Sequence, residues 1–128
     1  MIQRQWLAVM GLMVTCGLTA ALPGCGGSEE VVCETVLEET VSFSTEIGPL
    51  FEAKCNYCHN HEKTGVEREG APVGVDYTTY AAAVTNALGA LDEARSETMP
   101  PSCEACPPVP SSEQTNLLCN WIKQGTPE

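Results

Sequence analysis

Two cysteines spaced by two residues and followed at once by a histidine, Cys55-Asn56-Tyr57-Cys58-His59, constrain this chain more than any other feature. C-x-x-C-H is the attachment signature of a c-type haem. Two thiols reach two vinyl groups on one side of a porphyrin, and the next residue places an imidazole on the iron. Two intervening residues let a single turn of backbone do all three. A second C-x-x-C, Cys103-Glu104-Ala105-Cys106, keeps a zinc ribbon in view, because such a site wants two cysteine pairs. The immediate histidine is what haem needs and what a four-cysteine zinc site does not, so haem c is the expected cofactor.

The chain opens with one positive charge, Arg4, and then carries no charged residue from Gln5 to Leu22. A basic start, an apolar middle a little short of a membrane span of about 20 residues, and small residues at the end describe a secretory signal. Leu22-Pro23-Gly24-Cys25 resembles a bacterial lipobox. That resemblance implies cleavage after residue 24 and a diacylglycerol on the Cys25 thiol. The alternative is an uncleaved anchor with Cys25 merely structural, but no basic stop signal follows. Export suits the cysteines, because c-type haem is attached outside the cytoplasm and disulfides persist there. The expected location is the periplasmic side of a bacterial membrane. Gly26 after the lipid cysteine, rather than aspartate, favours the outer membrane by resemblance to lipoprotein sorting.

Removal of residues 1–24 leaves 104 residues, enough for one modest core. All 17 acidic residues lie in that part against five basic ones, Lys54, Lys63, Arg68, Arg95 and Lys123, a net charge near −12. So acidic a surface argues against nucleic acid as a partner. It suits attraction of a basic redox partner, or solubility alone. Residues 25–42, with Glu29, Glu30, Glu34, Glu38 and Glu39, read as an acidic tether from Cys25. The stretch from Gly26 to Thr40 would extend about 50 Å at most, at about 3.3 Å per residue. Cys33 lies inside it, placed to pin it back. Residues 43–128 form the expected domain.

Periodicity within that domain predicts helices joined by loops. Residues 45–54 carry Ile47, Leu50 and Phe51 on one face, with Ser44 or Thr45 as cap and the helix proper starting near Gly48 so that Pro49 falls in its first turn. Residues 60–74 are polar and glycine-punctuated, a loop. Residues 78–91 are alanine-rich, with Tyr80, Val84, Ala87, Leu88 and Leu91 on one face. Residues 99–110 hold five prolines and two cysteines and must be irregular. Ser111-Ser112-Glu113-Gln114 fits a capping box. Leu117, Leu118, Trp121 and Ile122 follow as an apolar face, and Gly125 and Pro127 end the helix.

A low-spin haem needs a second axial ligand besides His59. Methionine suits it, because the soft thioether favours ferrous iron. Met99 is the lone methionine after the signal, and Pro100 and Pro101 stiffen the loop that presents it. His61, the other histidine, follows His59 too closely to reach around the porphyrin edge.

Cys55-Asn56-Tyr57-Cys58-His59, then Met99-Pro100-Pro101, then Leu117 to Gly125 resemble, in order, the three landmarks of class I cytochrome c domains. The resemblance covers most of residues 43–125. It implies an all-α fold wrapped around one covalent haem, with the first and last helices crossing and Phe51 meeting Trp121. In that family a proline carbonyl after the histidine orients the imidazole; Pro72 is the available candidate, in a loosely matching loop. The insert 102–108 departs from a minimal cytochrome. Cys33, Cys103, Cys106 and Cys119 remain, and four cysteines allow three pairings. Two structural disulfides are the expected outcome, and a redox-active Cys103/Cys106 pair is the alternative.

The expected function is electron transfer by a lipid-anchored mono-haem cytochrome with redox proteins as partners and no catalytic residues. Two other classes compete. One is a haem sensor or peroxidase-like protein with an open sixth position. The other is a haem-free, disulfide-stapled interaction lipoprotein.

Overall fold

A computed structural model describes residues 30–128. The expected signal segment 1–24 and the lipid-accepting Cys25 lie outside the described residues. Among those described there are helices and no strand, so the fold is all-α as expected. A π-helical turn at Phe43–Ile47 runs directly into α1 (Gly48–Lys54). A 3-10 turn at Gly65–Arg68, α2 (Tyr80–Arg95) and α3 (Ser112–Lys123) follow.

The first helix begins as Pro49 requires. Proline has no N–H to donate, so the α-helix proper starts at Gly48, with the proline in its first turn. The cap, however, is neither Ser44 nor Thr45. The wide turn ahead of Gly48 moves it back to Ser42, whose Oγ accepts from the Thr45 N–H at 3.2 Å while the Glu46 carboxylate accepts the Ser42 N–H at 2.9 Å. A Cβ on Gly48 would meet the Phe43 carbonyl at 3.0 Å, so glycine is needed at this close approach. Ile47, Leu50 and Phe51 turn inward.

The last helix follows its sequence signals closely. Ser111 and Gln114 form the reciprocal capping box, with bonds of 2.9 and 3.2 Å. Gly125, at φ 84°, ends the helix, and the Thr126 N–H bonds back to the Trp121 carbonyl at 2.9 Å. Trp121 is fully buried and meets Phe51 edge to face, centroids 6.3 Å apart. Its indole N–H donates to the Pro127 carbonyl at 2.8 Å, which also accepts the Phe43 N–H at 2.9 Å. One carbonyl thus ties the entry of α1 to the end of α3.

The second helix corrects the expected face. Thr79 caps it, and Ala83, Ala87, Ala90, Leu91 and Ala94 are the buried positions. Val84 and Leu88, expected inside, are 36% and 59% exposed. The helix approaches its neighbours through small side chains, which permits close packing where valine and leucine would hold it off.

The segment expected to be an acidic tether, with Cys33 placed to pin it back, is docked from Val31 onward. Cys33 is bonded to Cys119 of α3, Val41 is buried, and Val31 and Leu37 pack against the core. The reason is a polar row on α3. Asn116, Asn120 and Gln124 stand four residues apart, a rise of about 6 Å. Thr35 and Leu37, alternate residues of the kind that stand about 6.6 Å apart in an extended chain, match the first step of the row, and a bend at Glu38 and Glu39 then brings Val41 to Gln124. The N–H groups of Thr35, Leu37 and Val41 donate to the three side-chain carbonyls at 3.0, 2.9 and 2.8 Å. The side-chain amides return bonds to the carbonyls of Thr35, Leu37 and Glu39.

Two measurements check this architecture. The disulfides span sequence separations of 86 and 3. Loop-closure entropy predicts that serine at Cys33 and Cys119 costs about 4–5 kcal/mol and serine at Cys103 and Cys106 about 2 kcal/mol, to be read from denaturant melts of the two double variants. Asn120→Leu keeps the branched side-chain shape but deletes the bonds to Thr35, Leu37 and Asn116. It is expected to cost about 1–3 kcal/mol and to speed amide exchange at Leu37 before the rest of the core opens.

Candidate functional site

The motif that opened the sequence reading folds as a single turn. The Cys55 N–H bonds the Phe51 carbonyl at 2.8 Å, and the Cys58 and His59 N–H groups both return to the Cys55 carbonyl, at 3.1 and 2.9 Å. The turn places Cys55, Cys58 and His59 on the wall of a cavity of about 430 Å3, inside the range of about 300–1,000 Å3 typical of ligand sites. Met99, Pro100 and Pro101 line the same cavity. All four side chains expected to hold the cofactor therefore share one space, although Met99 follows Cys55 by 44 positions. Gly89 and Ala90 of α2 give that helix a low profile along the wall.

Cys55 and Cys58 carry free thiols; the other described cysteines are paired. Cys33–Cys119 and Cys103–Cys106 are the pairs, which resolves the three-way choice left by the sequence. The second C-x-x-C is closed on itself, so a ribbon joining both pairs does not form. Burial pushes the Cys55 thiol up to about 12, with the nearby Cys58 adding to it. Burial raises the Cys58 thiol as well. Both are protonated at neutral pH.

His59 is held by aromatic contact and by one backbone acceptor. Its ring lies edge to face with Tyr77, centroids 5.4 Å apart, and Tyr77 stacks on Phe51 at 4.5 Å. His59 Nδ1 lies a long 3.4 Å from the Val75 carbonyl. With Nδ1–H facing that carbonyl, the lone pair resides on Nε2, the nitrogen a metal would use. Burial lowers the His59 pKa below its ordinary value, outweighing the opposite pull of the Val75 carbonyl, so the imidazole is neutral. Pro72, the expected orienting residue, lines the cavity, but its carbonyl accepts from Arg68 Nη2 at 2.7 Å instead. Val75 takes the place beside the imidazole. His61 lies apart, paired through Nδ1 with Asp76 at 3.0 Å and Thr78 at 2.8 Å.

Met99 leaves the end of α2 by a fixed route. Glu97 adopts the left-handed conformation, φ 55°. The Thr98 N–H then bonds the Glu93 carbonyl at 3.1 Å, and the Thr98 hydroxyl bonds the Glu93 carboxylate. Met99 itself is 37% exposed at the cavity edge. Lys54, which also lines the cavity, reaches the Pro108 carbonyl at 3.1 Å and fastens the far side of this loop to α1.

Sequence reasoning missed Arg68. The 3-10 turn carries it inward until it is only 4% exposed, and its guanidinium bonds the carbonyls of Asn60, Ala71, Pro72 and Val75 at 2.6 to 3.2 Å. A lone arginine between glycines reads as loop, and nothing in its spacing signals that it is the loop's internal tie.

Comparison with protein-family models, with curated proteins and with solved structures gave no match.

The raised thiol pKa values have a kinetic consequence, because only the thiolate is a nucleophile. In the folded chain, alkylation of Cys55 and Cys58 at neutral pH is expected to run at least about tenfold slower than in the urea-unfolded chain. The gap should close as pH rises toward about 12, the Cys55 value. Equal rates in the two states would contradict the buried placement.

Proposed function

We propose that this chain is a mono-haem c-type cytochrome that carries single electrons. In this reading Cys55 and Cys58 are the covalent attachment points, and His59 and Met99 are the axial ligands. A lipid on Cys25 holds it on the periplasmic side of a bacterial membrane, and other redox proteins are its partners. The observation that carries the reading is the convergence of both free thiols, His59 and Met99 on one cavity. The ordered likeness of the three sequence landmarks to class I cytochrome c domains supports it from a separate direction.

The residues present fit such a group. When bound, haem supplies a one-electron Fe(III)/Fe(II) couple. His59, kept neutral by burial, offers Nε2; the Val75 carbonyl faces its other nitrogen and fixes the tautomer. Met99 offers a soft thioether, which favours the ferrous state. Val75, Tyr77, Gly89, Ala90 and the two prolines after Met99 exclude water from the wall. Lys54 and Glu93 are the charged groups lining it. The chain's role is to hold two ligands and a low-dielectric shell, and no proton is moved and no bond of a substrate broken. The acidic surface suits docking to basic partners, with association slowed by salt.

Export in a host with haem-attachment machinery is the direct test. The protein is expected to be coloured and low-spin, with a sulfur-to-iron charge-transfer band in the ferric form. Met99→Ala should abolish that band, admit carbon monoxide and lower the midpoint potential. A high-spin ferric spectrum in the native protein would select the sensor or peroxidase-like class, and a colourless protein would select the haem-free interaction module.

A further inference from the structure

Arg68 is a buried cation without a buried anion. Among the described residues no carboxylate lies within ion-pair distance of it; its partners are backbone carbonyls. Burying a charge is costly unless its hydrogen bonds are satisfied, and here they are satisfied entirely by the loop that carries His59. Asn60, whose carbonyl takes the shortest of these bonds at 2.6 Å, follows His59 directly.

We propose that Arg68 is a positioning residue that limits how strongly His59 can donate its Nδ1 proton and thereby raises the reduction potential of the site. The inference rests on the haem reading of the cavity. Its basis is a shared acceptor. The Val75 carbonyl faces two donors, Arg68 Nη2 at 3.0 Å and His59 Nδ1 at 3.4 Å. The carbonyl has two lone pairs and can serve both, but the charged donor is the closer and draws the larger share of its electron density. The acceptor at the far nitrogen of a metal-bound imidazole sets the basicity of the ligating nitrogen. A strong acceptor gives the imidazole anionic character and stabilises ferric iron, whereas a weakened one leaves it near neutral and favours ferrous iron. Bonds to Asn60, Ala71 and Pro72 already close the loop. The bond to Val75 is the one that reaches His59.

The positive charge of Arg68 acts on the potential in the same direction, so the test must separate charge from hydrogen bonding. The haem-loaded full chain is compared with Arg68→Lys and Arg68→Gln. The readouts are midpoint potential and, in the ferrous state, the proton resonance of His59 Nδ1–H. Lysine keeps the charge but donates from a single atom and cannot span the carbonyls that the guanidinium reaches. Both variants are expected to show a lower potential, together with an Nδ1–H resonance shifted downfield and exchanging more slowly with solvent. No shift in either variant overturns the inference. A potential that falls only in Arg68→Gln, or falls while Nδ1–H stays in place, assigns the effect to charge or to loop loosening and also overturns it. Should neither variant fold, the native protein decides. Arg68 Nη2–H is expected to exchange more slowly than His59 Nδ1–H, and the opposite order overturns the inference. A chain that takes up no haem would defeat the proposed function instead, a result distinct from all of these.

Discussion

A run of aromatic contacts from Trp121 through Phe51 and Tyr77 to His59 fixes everything else in place. Trp121 meets Phe51 at 6.3 Å, Phe51 stacks on Tyr77 at 4.5 Å, and Tyr77 meets His59 at 5.4 Å. α1 has only seven residues, far below the length at which an isolated helix holds together. Its position comes from these contacts, each contributing about 0.5–1.5 kcal/mol beyond burial. Phe51 precedes Cys55 by about one helical turn. A slip of α1 along α3 would therefore rotate both thiols and His59 away from the wall formed by Gly89 and Ala90. Packing energy at Trp121 is converted into angular precision at the imidazole.

The same requirement explains why α2 buries alanine and exposes Val84 and Leu88. The helix has two tasks on adjacent faces. Ala83, Ala87 and Leu91 close against the core, while Asn86, Gly89, Ala90 and Glu93 line the cavity. The flat apolar group proposed for the cavity would need a low wall more than a greasy one. Small side chains supply the low wall, and Val84 and Leu88 face outward, where their volume does no harm.

Elements governed by local backbone chemistry were legible in the sequence. The Ser111–Gln114 capping box, the stop at Gly125 and the start of α1 at Gly48 each follow from the donors and dihedrals of a few adjacent residues. The convergence of Cys55, Cys58, His59 and Met99 on one cavity was legible because the haem expectation assigns all four residue types to a single site. Features decided by distant partners were not. The face of α2 was misassigned because periodicity weighs hydrophobicity and ignores volume. Ser42 was passed over because the wide turn preceding Gly48 leaves no pattern. Val75 and Arg68 act through backbone carbonyls, which every residue possesses, so composition gives no hint of them. Asn116, Asn120 and Gln124 did leave a trace: two asparagines inside a helix, where they are poor formers, recur every fourth residue along one face.

That polar row alters what a lipid on Cys25 would do. A free tether through residue 42 would let the domain wander about 56 Å from the bilayer at about 3.3 Å per residue. With Cys33 bonded to Cys119 and the following residues docked on α3, only the stretch from Cys25 to Cys33 can pay out, about 26 Å on the same scale. Among the described residues, none before Lys54 lines the cavity. Glu29, Glu30 and Glu34 lie on or beside the leash, and their charge repels anionic headgroups over roughly a Debye length of about 8 Å. If Cys25 carries the proposed lipid, a short leash combined with repulsion would hold the domain close to the membrane without letting it lie down. The cavity would then stay open to partners arriving along the same surface, as the proposed tethered one-electron carrier requires.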